Sequence, residues 1–220
     1  MTLQLLDLGL LPYSDAWTLQ QKLAAEVAAG GPNTVLLVTH PHVFTLGTMA
    51  DETNVLWDAA QRERLGVSLV QADRGGDVTY HGPGQIVMYP IVKLPRKPGT
   101  MHAHVIEYLR RLERSVVAFL SDYSVAGMSI PGYAGVWVPT PGGDAKIAAM
   151  GVRVNVKGIT THGIALNINA DLRYFRGIIP CGLRDKGVTS LHVLLGRPVD
   201  EVDAKARLFR CFEAAMDDFL

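Results

Sequence analysis

Three apolar runs in the second half of the chain constrain its fold most. Val136-Trp137-Val138, the stretch from Lys146 to Val154, and Ile159 to Asn169 follow one another with short separators. Those separators, Pro141-Gly142-Gly143-Asp144 and Asn155-Val156-Lys157-Gly158, supply the residues that tight reversals need. The pattern predicts consecutive strands of an antiparallel sheet. Further strands are expected at Val35–Val38, Val67–Val70 and Ile86–Val92.

Helical spacing surrounds these runs. After Ser14, read as an N-cap, Ala16, Leu19, Leu23 and Val27 form one stripe that Gly30-Gly31-Pro32 ends. A short helix from Asp58 to Leu65 stops at Gly66. Pro98-Gly99-Thr100 opens the longest helix, with Val105, Leu109, Leu112, Val116 and Phe119 inward and Arg110, Arg111, Glu113 and Arg114 outward. A last helix follows Asp200, with Val202, Phe209, Phe212, Met216 and Phe219 inward. Helices set around mainly antiparallel or mixed strands predict an α+β fold. With no linker and no internal repeat, residues 1–220 are expected to form a single domain.

Composition excludes several classes. Hydrophobic residues make up 48% of the chain and charged residues 19%, as in ordinary globular proteins. Lys plus Arg (21) equals Asp plus Glu (21), so no global field favours nucleic acid, although a local basic patch can still face an acidic protein. Two cysteines, Cys181 and Cys211, do not make a disulfide framework, and Cys211 reads as core filler. The first residues lack a basic n-region, no arginine precedes Arg62, and no run reaches membrane-span length. A cytoplasmic protein without a membrane segment is expected.

Chemistry concentrates in a few places. Cys181 stands between Pro180 and Gly182, so its thiol is presented on a defined turn, either as a packed small hydrophobe or as a nucleophile. Strand alternation puts Lys146 in phase with Ala148, Met150, Val152 and Val154, opposite Gly151 and Arg153. Facing an apolar row, its amine would be driven toward the neutral form that a general base requires; at the strand start, it would instead reach water. His162 is likewise in phase with Ile164, Leu166 and Ile168, as a satisfied core histidine or as a catalyst. Gly163 beside it signals a bulge or a close backbone approach, which can free an N–H for an oxyanion. Upstream, the dense turn from Arg74 to Gln85 carries Gly75, Gly76, Thr79, Tyr80, His81 and Gly82.

His40-Pro41-His42 and His102-Ala103-His104 space histidines two apart, but residues two apart on a helix do not share a face, and no zinc pattern of cysteines accompanies them. Neither G-x-G-x-x-G nor G-K-[ST] occurs. No metal and no cofactor are expected.

Taken in order, RGGDVTYHGPGQ, KIAAMGVRV, THGIALNIN and IPCG resemble the lipoyl(octanoyl) transferase family. PYSDAWTLQ, HPHVFTLG and AGVWV extend the resemblance over nearly the whole chain. It implies a fold related to the catalytic domain of biotin and lipoate ligases. It also implies transfer of an octanoyl group from octanoyl-acyl carrier protein to a lysine of a lipoyl domain or glycine-cleavage H protein. The family's catalytic cysteine and lysine fall on Cys181 and Lys146, and its motif histidines on His40, His81 and His162. Substrate binding is then expected at Arg74, Gly75, Gly76, Thr79, Tyr80, His81, Gly82, His162, Gly163, Ala165 and His40. Thr39, where an acidic residue is expected, departs from the pattern.

In the implied mechanism Lys146 takes the thiol proton, the Cys181 thiolate attacks the thioester, and N–H groups at Gly163 and Gly182 hold the oxyanion. A monomer serving two acidic carriers in turn is expected, with Arg74 either attracting them or held in a structural ion pair. The rivals are an ATP-dependent lipoate or biotin ligase, a cysteine thioesterase with His162 as base, and a non-catalytic carrier-binding module.

Overall fold

The computed structural model describes residues 3–97, 99–100, 102–179 and 187–220. Among the described residues, two sheets and five α-helices make up a single α+β domain. The first sheet has eight strands: β1 (Gln4–Leu10), β2 (Thr34–Thr39), β6 (Gln85–Ile91), β7 (Met128–Ile130), β8 (Tyr133–Thr140), β9 (Gly143–Val154), β10 (Thr160–Asn167) and β11 (Gly187–Val188). Their order is β1-β2-β6-β10-β9-β8-β7, with β11 beside the start of β9. The β8, β9 and β10 run is antiparallel, as the apolar runs and their turns predict. Parallel pairing of β1 with β2 and of β11 with β9 makes the sheet mixed. A second sheet pairs β3 (Val43–Leu46) with β4 (Ser68–Gln71) and β5 (Val78–His81), in the order β4-β3-β5. Strands β1, β3, β5, β7 and β11 lie outside the sequence expectations. They are short or half-exposed, and their apolar runs are too brief to stand out.

The large sheet has two different faces. On one, α3 (Val105–Ser121) and α5 (Glu201–Met216) pack against each other and over Met88, Ile147, Ala148, Ile164 and Leu166. Fully buried Phe119 and Phe212 belong to this core, and each such side chain contributes roughly 2–3 kcal/mol. On the other face, α1 (Tyr13–Ala28) crosses β6 and β10, burying Leu23 and Val27 against Val87, Tyr89 and Ile91. The small sheet has its own cluster around Phe44, Tyr80 and Ile178.

Several helix details differ from expectation. The N-cap of α1 is Pro12, and Ser14 is an exposed second residue of the helix. α3 starts at Val105, so His102 and His104 precede it, and Tyr108 rather than Leu109 is fully buried. Glu113 is also buried, held by Arg110 at 2.9 Å. In α5 the inward stripe is Ala204, Leu208, Phe212 and Met216, and Val202 is exposed. The stretch from Arg74 to Gln85 is not one turn but a loop, the strand β5, and a second turn into β6. The remaining helices, α2 (Ala59–Arg64) and α4 (Leu191–Leu195), are short, and Asp58 caps α2 with a full capping box through Gln61.

Candidate active site

The α1 face of the sheet opens into a cleft. Its polar lining includes Arg74, Asp77, Thr79, His81, Lys146 and His162, with the phenols of Tyr13 and Tyr89. Its apolar walls include Val78, Val87, Ala149, Ile164 and Ala165. The cleft therefore joins a charged end to surface that suits a hydrocarbon.

Lys146 reaches this cleft by a route that simple alternation misses. Where β8 pairs with β9, Val136 faces Ala148 but the next residue, Trp137, faces Lys146, so Ile147 is an extra residue in β9. Ile147 and Ala148 both enter the helix-side core. The bulge thus moves Lys146 onto the face of Ala149 and Gly151, away from the row of Ala148, Met150, Val152 and Val154 expected for it. There it is 8% exposed, with Nζ 4.7 Å from the centre of the Trp137 ring.

His162 shows a second inversion. Its φ is +58°, left-handed for a non-glycine residue, and its N–H leaves the ladder to donate to Gln20 Oε1 of α1 at 2.6 Å. The ring consequently faces α1 and not the core of Ile164 and Leu166. Its Nε2 lies 2.6 Å from Asp73 Oδ1, and Arg153 pairs with the other carboxylate oxygen. A carboxylate only accepts, so Nε2 carries the proton, and Nδ1 accepts from the Tyr13 hydroxyl at 3.3 Å. Burial, then the Arg74 and Arg153 cations, push the His162 pKa down to about 3, so the ring is neutral. Burial raises the Tyr13 phenol to about 12.

Arg74 is built into the cleft wall. Its guanidinium donates to the Thr45 hydroxyl and carbonyl and to the Gly75 carbonyl, and it is 6% exposed. Burial removes it as a surface lure for acidic partners, and its cationic field instead acts on Tyr13, His81 and His162. The loop that carries it is gripped from both sides. Thr48 and Met49 donate backbone N–H groups to Arg74 and Gly76 carbonyls, and Gly75 donates to Val152 of β9. A Cβ on Gly47 would lie 2.1 Å from the Gly76 carbonyl oxygen.

The remaining predicted positions divide. Thr79, Gly76, His81, Gly163 and Ala165 line the cleft with Arg74, Lys146 and His162, whereas Gly75, Gly82, Tyr80 and His40 do not. His40 is fully buried beneath the cleft, donating from Nδ1 to the Leu11 carbonyl and accepting at Nε2 from Tyr89. Burial lowers its pKa to about 4. His42 turns elsewhere, to Tyr80, so the two histidines do not converge. Tyr80 is packed in the small sheet's core, and a Cβ on Gly82 would strike its hydroxyl. Gly163 answers to a close approach: a Cβ there would lie 2.2 Å from the Met88 carbonyl oxygen. His81, far below its usual pKa through burial and then His40 and Arg74, faces the Gln85 amide oxygen at 3.3 Å. Gln85 donates in turn to Asn167, and Asn167 to the Thr189 carbonyl.

Cys181 and Gly182 lie outside the described residues. Before them, Ile179 donates to the Asn54 carbonyl. After them, β11 enters with Val188 in register with Lys146, and Thr189 donates to the Lys146 carbonyl at 3.0 Å.

Tyr13, Gln20, Asp73, Tyr89 and Trp137 escaped the sequence reading as site residues. Tyr13 and Trp137 sit within motifs quoted above, PYSDAWTLQ and AGVWV, so a signal existed. Asp73 and Gln20 are defined only by what they meet across the fold.

The family model described as lipoyl protein ligase A/B catalytic domain matches residues 12–213. An octanoyltransferase of Chloroflexus aggregans is 43% identical over 98% of this chain and 96% of its own. One from Geotalea uraniireducens is 41% identical over 99% and 95%. Among solved structures, a bipartite lipoate protein ligase from Thermoplasma acidophilum superposes with a TM-score of 0.73, covering 98% of this chain and 83% of its own at 16% identity. An ATP-bound lipoate-protein ligase A gives 0.68 over 98% and 85% at 15% identity, which speaks to the fold alone.

Proposed function

Because the chain belongs to the lipoyl protein ligase A/B catalytic domain family, and within it to the octanoyltransferases, we propose that it moves an octanoyl group from octanoyl-acyl carrier protein, through a Cys181 thioester, to a lysine of a lipoyl domain or glycine-cleavage H protein. The chain is an acyltransferase, and its motifs support Cys181 and Lys146 as the residues that carry the chemistry. The observation that carries this reading is Lys146: buried, bulged into the cleft, and adjacent to the strand that returns from the Cys181 segment.

The chemistry follows from those positions. Lys146 accepts the Cys181 thiol proton, and the thiolate attacks the octanoyl carbonyl. The carrier thiol leaves with a proton, and one thioester replaces another, so the step is near thermoneutral and needs no ATP. The apolar walls at Val87, Ile164 and Ala165 take the hydrocarbon chain. The acceptor amine then attacks the acyl-enzyme, with Lys146 as its base. The protein acts as a monomer, with donor and acceptor alternating at one mouth.

Intact mass after mixing with octanoyl-acyl carrier protein, without acceptor, tests this. One added octanoyl group, labile to hydroxylamine and absent from Cys181→Ser, is the expected result, and a lipoyl domain should then remove it onto its own lysine. Equal discharge to water would point to a thioesterase. Octanoylation that requires ATP and free octanoate would replace the transferase by a ligase.

A further inference from the structure

Transfer from a Cys181 thioester to a protonated lysine balances only if a proton departs. A lysine side chain in neutral water is an ammonium, because its pKa is roughly 10.4. Thioester plus ammonium gives amide, thiol and one proton, and the thioester C–S bond breaks as the amide C–N bond forms. Lys146 can hold that proton within the cleft but must lose it before the next cycle.

We propose that Tyr13, His162 and Asp73 form the outlet that carries this proton from the cleft to solvent, a role that rests on the acyl-enzyme reading above. The donors are aligned in one direction: the Tyr13 hydroxyl points to His162 Nδ1, and His162 Nε2–H points to Asp73. A proton arriving at the Tyr13 oxygen pushes the hydroxyl proton onto Nδ1, the Nε2 proton moves to the carboxylate, and water takes it from Asp73. The outer end of the path is open, with the side chain 1% exposed at His162 but 28% at Asp73, whose partner Arg153 is 52% exposed. The path also joins two cavities. Tyr13 and His162 line the catalytic cleft, whereas Asp73 and Arg153 line a separate surface groove with Trp17, Gln21 and Lys157. The His162–Asp73 bond spans them.

The backbone supports the assignment independently. The ring reaches this position through the left-handed conformation of His162, which is strained at a non-glycine residue and persists where the surroundings impose it. Gln20 imposes it by capturing the His162 N–H. The charged and titratable groups around the ring are Asp73, Arg74, Arg153, Tyr13, Tyr89 and His81. Both cations oppose a resting charge on the ring, so a proton passes through and does not lodge there.

Single-turnover rates of the two half-reactions test the outlet, measured from about pH 6.5 to pH 9.5 on either side of neutral and toward the lysine pKa. In Tyr13→Phe and Asp73→Asn, discharge of the octanoyl-enzyme to a lipoyl domain should fall about tenfold or more relative to acylation at neutral pH. The deficit should shrink as pH rises, because the acceptor then arrives neutral, and added imidazole should restore part of it. Tyr13→Phe keeps the ring that stacks on His81 and His162, so it serves even if Asp73→Asn does not fold. A deficit shared equally by both half-reactions, or constant with pH, would overturn the outlet and leave positioning alone. Wild-type protein that forms no acyl-enzyme overturns the underlying reading before any variant is compared.

Discussion

At the scale of single residues, the cleft is made by places where the backbone leaves no choice. Gly163 lies in β10 where β6 passes so closely that a methyl group would overlap the Met88 carbonyl. Gly163→Ala should therefore part the two central strands and cost about 1–3 kcal/mol, read from the urea midpoint. An unchanged midpoint would mean that β6 can yield. The residue types at the site were legible from their motifs, since Lys146, His162 and Arg74 all stand in the cleft. Their orientation was not. Alternation assumes a regular strand, and an extra residue at Ile147 and a positive φ at His162 each reverse it. Lys146 is buried, but on the opposite face from the one its spacing predicts.

At the scale of elements, caps and stripes explain which expectations survived. Asp200 accepts N–H groups from Val202 and Asp203, completing the first turn of α5. Asp200→Ala should cost about 1 kcal/mol in chemical denaturation, and because α5 packs on α3 the loss should appear in global unfolding. Ser14→Ala, at the position expected to cap α1, should change stability by less than about 0.5 kcal/mol, because its side chain caps nothing. A larger loss would contradict the Pro12 start. The runs at β2, β6 and β8 to β10 were readable because each contains a continuous stretch of buried residues. The short strands of the small sheet were not, since four residues contain too little period to separate a strand from a loop.

At the scale of the whole molecule, three neutral imidazoles are sealed between α1, β2, β5 and β10. His40 is held to about 4, His162 to about 3, and His81 far below its usual value. In the unfolded chain each would titrate near ~6.5. Below that pH the unfolded state binds protons that the folded state refuses, so stability rises with pH across this window and is lost as pH falls from about 6.5 toward 4. With all three rings neutral in the fold, the limiting slope is roughly 4 kcal/mol per pH unit. Urea midpoints measured across that range check it, and a flat profile would show the rings protonating inside the folded protein.

The sequence by itself determined the α+β class, the order of the central antiparallel strands, the family, and most of the residues that line the cleft. Those properties reside in local pattern: apolar period, turn chemistry, and motifs read in order along the chain. Only the tertiary structure decided which way Lys146 and His162 face, that Arg74 is a buried wall and not a surface lure, and that Tyr13 and Asp73 join the site. Each of these depends on contacts between segments far apart in the chain. Tyr13 is 149 residues from His162, and Asp73 is 89 from it, so no local pattern encodes the bonds that α1, β10 and the Arg74 loop make when they close on one another.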